Sequence, residues 1–181
     1  EAGVTAVVTG PGSANPVAGQ MAAIKTYGSC IDDMVIKAPM AMKFALGENP
    51  KNTYHSKDET PTTRMATAAI IREQLKKAQR YQRDMLAAEE DEDTDEPDID
   101  VKSEALAAAV DGSIQSHFHA HRSDDIFTAI RIAKEFNLKL TLDHCTEGHL
   151  IAEKIAEIKN EMKKKYNQYD FNVILDTDIS D

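Results

Sequence analysis

The spacing of apolar and polar positions divides the first half of the chain into short strands and one long helix. An apolar, β-branched run at residues 4–8 leads into a Gly-Pro-Gly turn, which is typical of a strand entering a tight loop. Residues 34–37 and 42–46 predict two further short strands, each bounded by proline or glycine. The next stretch has apolar residues near helical spacing and predicts a long helix, with Thr60 as its N-cap and Pro61 at its first position.

The second half of the chain alternates helices and strands more regularly. The predicted elements are a helix at 102–110, a histidine-rich strand at 116–121, a helix at 123–137 with Ser123 as N-cap, a strand running into a turn at 138–149, a helix at 149–166 and a strand at 171–176. From the histidines onward the order is strand, helix, strand, helix, strand. Short apolar strands separated by long helices predict βα units around a parallel sheet.

Composition restricts the class of protein. The chain has 181 residues, of which 41% are hydrophobic, and this suits one or at most two globular domains. A formal net charge of −10 argues against nucleic acid or an anionic membrane surface as a partner. Two cysteines are too few for a disulfide framework, and neither a membrane-spanning run nor a signal peptide is visible. We therefore expect a cytoplasmic protein.

Two features concern the organisation of the chain. The sequence opens within one predicted strand and closes just after another, so we expect it to be a fragment of a larger domain. Residues 89–100 hold nine carboxylates and no basic residue. A cation site is one interpretation of this run. A solvated surface excursion is favoured, because the run lacks the spacing and the glycine of an EF-hand loop.

Two histidines lie where successive predicted strands finish. In parallel sheets the polar residues at the carboxyl ends of strands line the active site, so the side chains of His119 and His144 can converge there. Neutral imidazoles together with carboxylates are an ordinary ligand set for zinc or a similar divalent ion. The alternative is a pair of strand-end residues hydrogen-bonded to the backbone. We predict a metal site.

Other candidate residues surround this pair. His117 and His121 share the strand face of His119 by period-two alternation, and His121 lies at the rim beside Arg122. We expect these three to orient a ligand or contact substrate. Lys43 lies in the apolar strand "AMKFALG". It is either an edge-strand lysine whose amine reaches water or a buried lysine whose carbamylated amine bridges two metal ions.

Several separated motifs, in the same order, resemble one family. "AGVTAVVTGPGSANPVAGQ", "IKAPMAMKFALGENPK" and "HAHRSDDI…AIRIAKEF…LDHCTEGHLIA" are similar to the amidohydrolase superfamily, in particular its imidazolonepropionase and prolidase-like branch. The resemblance covers about residues 1–155. It implies an α/β fold of the metal-dependent hydrolase type, with residues 1–181 forming one partial (β/α)₈ TIM-type barrel. This barrel would lack its first and last strands and would carry an acidic surface insertion at about 88–100.

The resemblance also implies a chemistry. His119 matches the metal ligand on the family's fifth strand, and His144 matches the sixth-strand histidine, which is a second metal ligand or a catalytic residue. Lys43 falls where binuclear members carry the bridging carbamylated lysine. These matches imply one or two divalent ions, with zinc favoured. The implied reaction is hydrolysis of a C–N bond, in a cyclic amide or small peptide, by a metal-activated water.

The departures from the family pattern are equally specific. The paired His-x-His of the family's first strand and the aspartate of its eighth strand have no match in this sequence. We therefore expect this chain alone to be incomplete and inactive. The rival interpretation is a non-catalytic barrel remnant with a binding or structural role. A small-molecule substrate is the expected partner, and homo-oligomer formation is left open. The terminal "VILDTDISD" resembles the opening of nucleoside hydrolases, whose aspartates bind calcium.

Overall fold

Six strands form a single mixed sheet in chain order. A computed structural model describes residues 3–91, 93–166 and 172–175. The strands are β1 (Ala6–Thr9), β2 (Val17–Lys25), β3 (Val35–Ala45), β4 (Gln115–Ala120), β5 (Leu140–His144) and β6 (Asn172–Leu175). The first three strands pair antiparallel, whereas β3, β4, β5 and β6 pair parallel. The predicted parallel sheet therefore accounts for four of the strands, and an antiparallel extension adjoins it.

Six helices lie among the described residues, and all but the first connect parallel strands. They are α1 (Ile31–Met34), α2 (Glu48–His55), α3 (Arg64–Glu90), α4 (Val101–Val110), α5 (Ser123–Phe136) and α6 (Ala152–Tyr166), with a 3₁₀ turn at Gly148–Ile151. The connections from β4 to β5 and from β5 to β6 each pass through a helix, as parallel pairing requires. The alternation of strands and helices predicted for the second half of the chain is present.

The strand predictions for the first half were partly wrong. The two strands expected at 34–37 and 42–46 are one strand, β3, which continues through Pro39. Its pairing with β2 shifts register between Met21 and Ala23, and the irregular stretch contains the proline, which has no N–H to donate. Strand β2 was missed. Its glycine and neighbouring proline obscured the apolar run.

Two predicted helix caps were also wrong. Helix α3 begins at Arg64 rather than at Pro61, because the side chain of Thr63 accepts a hydrogen bond from the Ala66 N–H. Ser123 is the first residue of α5 and not its N-cap; the capping position is Arg122, which forms no side-chain capping bond. The Ser123 N–H instead donates to Glu147, on the next loop.

The parallel strands have chemically different faces. One face carries Met42, Phe44, Phe118 and Leu142 into a buried core shared with helices α3 and α5. The rings of Phe44 and Phe118 stack with centroids 4.6 Å apart. Period-two alternation places buried polar residues on the opposite face: Lys43, His117, His119, Thr141 and Asp143. The candidate chemistry therefore lies on the face away from the apolar core.

Residues 91 and 93–100 form neither helix nor strand and are mostly exposed, as expected for a solvated excursion. The aspartates of the terminal motif that resembles nucleoside hydrolases fall at 176–181, outside the described residues. Among the described residues, no helix has the length and apolar character needed to cross a membrane.

The Phe44–Phe118 stack provides a test of this packing. Phe118→Ala should lower the free energy of unfolding by about 3–5 kcal/mol, because it removes a fully buried ring and leaves a cavity. Urea unfolding followed by circular dichroism measures the change. Met65→Ala, at a residue 79% exposed, is the control and should change stability by only about 0.5 kcal/mol. Equal losses in the two variants would mean that the ring is not buried in this way.

Candidate metal centre

Three histidines converge at the carboxyl ends of β4 and β5. His119 is on β4, His121 follows that strand, and His144 ends β5. One potential ligand atom from each of the three lies within 4.8 Å of the others. The ring centroid of His119 is 4.6 Å from each of the other two rings, which are themselves 4.9 Å apart. The structure therefore brings His119 and His144 together, and it adds His121 to the same cluster.

A change in backbone direction brings His144 into this cluster. In the parallel register Asp143 pairs with His119 and His144 pairs with Ala120, so strand alternation by itself would place His144 on the opposite face. His144 and Cys145 both have positive φ values, 74° and 46°. Successive non-glycine residues in the left-handed region are uncommon and often mark functional sites. The Cys145 N–H holds the turn by donating to the Ala120 carbonyl at 3.0 Å.

His119 is buried and suited to be a neutral ligand. Burial, together with the nearby rings of His144 and His121, lowers the pKa of His119 to about 3, so its imidazole is uncharged at neutral pH. Its Nε2 lies 3.0 Å from the amide nitrogen of Asn49, in the first turn of α2. Its Nδ1 is buried without a hydrogen-bond partner among the described residues. An imidazole that stays deprotonated and has one unsatisfied nitrogen is a favourable metal ligand.

The three imidazoles fit a divalent ion after small side-chain rotations. Zinc bound tetrahedrally by histidine places neighbouring nitrogens about 3.4 Å apart, compared with the separations of up to 4.8 Å found here. The Nδ1 of His121 lies 2.7 Å from the hydroxyl of Thr146, which fixes the orientation of that ring. Three protein nitrogens would leave the fourth position of a tetrahedral ion for water or substrate. The arrangement therefore fits a catalytic type of metal site.

A buried ionic network lies next to the histidine cluster. Lys43 Nζ donates to Asp143 Oδ2 at 2.7 Å, and His117 Nδ1 lies 3.2 Å from Asp143 Oδ1. None of these three residues is more than 9% exposed. Burial by itself would raise the pKa of Asp143, but the neighbouring His117 ring, together with the hydrogen bond and the charge of Lys43, holds it below its usual value. The carboxylate is thus favoured in its ionised form. Its Oδ2 is hydrogen-bonded to Lys43, whereas Oδ1 lies beside His117 without a hydrogen bond among the described residues.

The remaining predicted site residues have different surroundings. The side chain of Lys43 is buried rather than reaching water, and its Nζ lies 2.7 Å from Asp143 Oδ2 in an ion pair. Carbamylation requires a neutral amine, so that prediction would require this pair to break. His117 lies one pleat deeper than His119 on the same face. Arg122 is exposed and pairs with Asp124, and its substrate role stays a prediction.

Three residues of the site were not identified from the sequence. Asp143 could have been found, because alternation from His119 across the parallel register places it on the same face. Asn49 and Thr146 gave no such signal. Asn49 reaches His119 through the β3–α2 turn, where Gly47 has φ 81° and a Cβ would meet Asp125 Oδ2 at 2.8 Å.

Comparisons with known proteins show similarity to amidohydrolases. No family model matches the chain. A curated protein, "Amidohydrolase tasK" from Hapsidospora irregularis, is 27% identical over 173 residues, covering 83% of this chain and 17% of that protein. A crystal structure of an amidohydrolase from Thermotoga maritima MSB8 matches with a TM-score of 0.86 and 37% identity, over 97% of this chain and 43% of that one. The chain therefore spans less than half the length of either protein. The match is consistent with part of a TIM barrel.

Because the Lys43–Asp143 pair is buried, removing one charge should cost more free energy of unfolding than the double substitution would suggest. Lys43→Met leaves the Asp143 carboxylate buried without its cation, and should lower the free energy of unfolding by about 3–5 kcal/mol. Combining it with Asp143→Asn removes both charges, so the double variant should lose less than the sum of the two single variants. Urea unfolding of the four proteins measures this coupling.

A surface pair supplies the control for that cycle. Lys154 pairs with Glu157, and both side chains are more than 60% exposed. Lys154→Met should therefore change the free energy of unfolding by at most about 1 kcal/mol. If Lys43→Met is no more destabilising than Lys154→Met, the Lys43–Asp143 pair is not buried in solution.

Proposed function

We propose that this chain, whose homologues support a place in the amidohydrolase superfamily, carries the metal centre of a metal-dependent hydrolase. The observation that carries the proposal is the convergence of His119, His121 and His144 within 4.8 Å. A surface cluster of histidines is commonplace. This one includes a buried, uncharged imidazole at a strand end, with an unsatisfied nitrogen among the described residues.

Zinc is the ion we propose for this site. Three neutral imidazoles are an established ligand set for catalytic zinc, and borderline-soft nitrogen donors favour it over magnesium or calcium. A bound divalent ion would supply Lewis acidity, which lowers the pKa of a bound water and polarises a carbonyl. The chain's own residues would hold and orient the ligands. Asn49 and Thr146 contact two of the imidazoles directly.

The adjacent ionic network has a separate proposed role. Asp143 precedes His144 on β5 and pairs in register with His119 on β4, so it adjoins two of the candidate ligands. Lys43 forms an ion pair with it from one layer below, where His117 also lies beside it. We assign these residues to fixing the strand ends that present the ligands, and Lys43 as a metal ligand remains the alternative when two ions are bound.

The proposed substrate class is based on similarity to known proteins. The names of the two related proteins support an amidohydrolase. The resemblance of the sequence motifs to the imidazolonepropionase and prolidase-like branch is the basis for proposing hydrolysis of a C–N bond in a cyclic amide or a small peptide. The rival proposal is a barrel remnant with only a binding or structural role. Metal binding at the three histidines would favour the hydrolase over a remnant with only a structural role.

Cobalt titration tests the metal centre directly. The chain should bind one Co²⁺ with the strong visible absorption of a tetrahedral site, because Co²⁺ substitutes for zinc with similar geometry. His119→Ala and His144→Ala should each weaken binding by about 100-fold or more, which exceeds the 10- to 100-fold effect of losing a supporting residue. His55→Ala is the matched control, since that exposed histidine lies on α2 away from the cluster.

The outcome that contradicts the metal centre is equally clear. Binding that is weak, octahedral in its spectrum, or unchanged by His119→Ala would remove the cluster as a metal site. A loss in His55→Ala equal to that in His119→Ala would mean that the ion binds elsewhere.

Hydrolysis by this chain alone is a separate prediction. The family resemblance implies a further histidine pair and an aspartate that have no match in the sequence, so the zinc-loaded chain should not hydrolyse a panel of dipeptides and cyclic amides. Product release measured by chromatography, with and without a chelator, tests this. Turnover that the chelator and His119→Ala both abolish would show that the residues present suffice for catalysis.

A further inference from the structure

We propose that Glu147 is a positioning residue that ties the loop after β4 to the loop after β5 and so sets the separation of His121 and His144. The inference rests on the proposed function, because its consequence is read at the candidate metal site. It assigns a role to a residue that touches neither the ligand nitrogens nor the ionic network around Asp143.

The contacts of Glu147 run in both directions between these loops. Its Oε2 accepts hydrogen bonds from the backbone N–H of Ser123 at 2.8 Å and from the Ser123 hydroxyl at 3.0 Å. Its own backbone N–H donates to the carbonyl of His121 at 2.9 Å. One residue therefore joins the two loops through both its side chain and its main chain.

The positions of these contacts explain why they matter for the site. His121 supplies both a candidate ligand ring and the carbonyl that Glu147 holds, and Ser123 is only two residues further along. At the end of β5, His144 lies three residues before Glu147, and Thr146, which contacts the His121 ring, directly precedes Glu147. Glu147, on the loop after β5, thus links the segment that carries His144 to the segment that carries His121.

The N-terminus of α5 favours a carboxylate at the position of Glu147. Helix α5 begins at Ser123, and its N-cap, Arg122, forms no side-chain capping bond. The first N–H groups of a helix need acceptors, and the positive end of the helix dipole favours an anion. Glu147 therefore caps α5 from the following loop, and this capping bond is also the link between the loops.

Amide hydrogen exchange tests the link without any metal. In Glu147→Ala, exchange should quicken at the Ser123 and Glu147 amides and leave the interior of α5 unchanged. Glu153→Ala is the matched control, because that exposed carboxylate lies in α6 and should leave both amides as in the parent. Glu147→Gln keeps an acceptor oxygen and should retain most of the protection. Unchanged exchange in Glu147→Ala would overturn the inference.

Metal affinity then separates positioning from simple helix capping. Glu147→Ala should weaken Co²⁺ binding by about 10- to 100-fold, with a changed visible spectrum, and Glu147→Gln should restore most of the affinity. A role limited to capping would lower thermal stability and leave the affinity and spectrum unchanged, which would contradict the proposal. If Glu147→Ala does not fold, Ser123→Ala, which removes only the hydroxyl contact, should give a smaller change in the same direction, and no change would contradict it.

The two proposals fail in distinguishable ways. If the parent chain binds no Co²⁺ at the histidines, the proposed function is wrong, and the exchange measurement still decides whether Glu147 links the loops. If the parent binds Co²⁺ and Glu147→Ala binds it equally well with the same spectrum, the metal centre stands and the positioning role is wrong.

Discussion

The buried carboxylate of Asp143 is the constraint around which the site is organised. An unpaired buried carboxylate is strongly destabilising, so this side chain requires compensating partners. It has Lys43 from β3 and His117 from β4, and it lies on β5 itself. The network therefore joins three neighbouring parallel strands on the face away from the apolar core. Any register slip in these strands would leave a buried charge unpaired.

The ligand cluster depends on this arrangement. Asp143 holds the end of β5 against β4, and the backbone then turns through two successive left-handed residues to present His144 beside His119. Strained backbone of this kind persists only where the surrounding contacts determine it. Here those contacts are the Cys145 N–H bond to Ala120 and the loop-to-loop bonds of Glu147. The contacts between the strands therefore also determine where the three histidines lie at the edge of the sheet.

Sequence patterns predicted the parallel part of the sheet and part of the site, for identifiable reasons. Alternation placed His117 and His119 on one face, and the rule that strand ends meet at one edge brought His144 toward them. The same reasoning treated His144 as an ordinary strand residue, because left-handed backbone at a non-glycine residue is imposed by tertiary contacts. Strand β3 was divided at Pro39 since local propensity outweighed its pairing with β2. The contacts of Asn49, Thr146 and Glu147 involve distant segments that no local pattern encodes.

X-ray absorption at the zinc edge of the zinc-loaded chain tests the central claim most directly. That claim is that His119, His121 and His144 bind one ion. The account predicts a four-coordinate ion whose nitrogen and oxygen neighbours lie at about 2.0–2.1 Å, with the outer-shell scattering of three imidazole rings. A six-coordinate oxygen shell, a sulfur neighbour at about 2.3 Å, or scattering from one imidazole or none would contradict it.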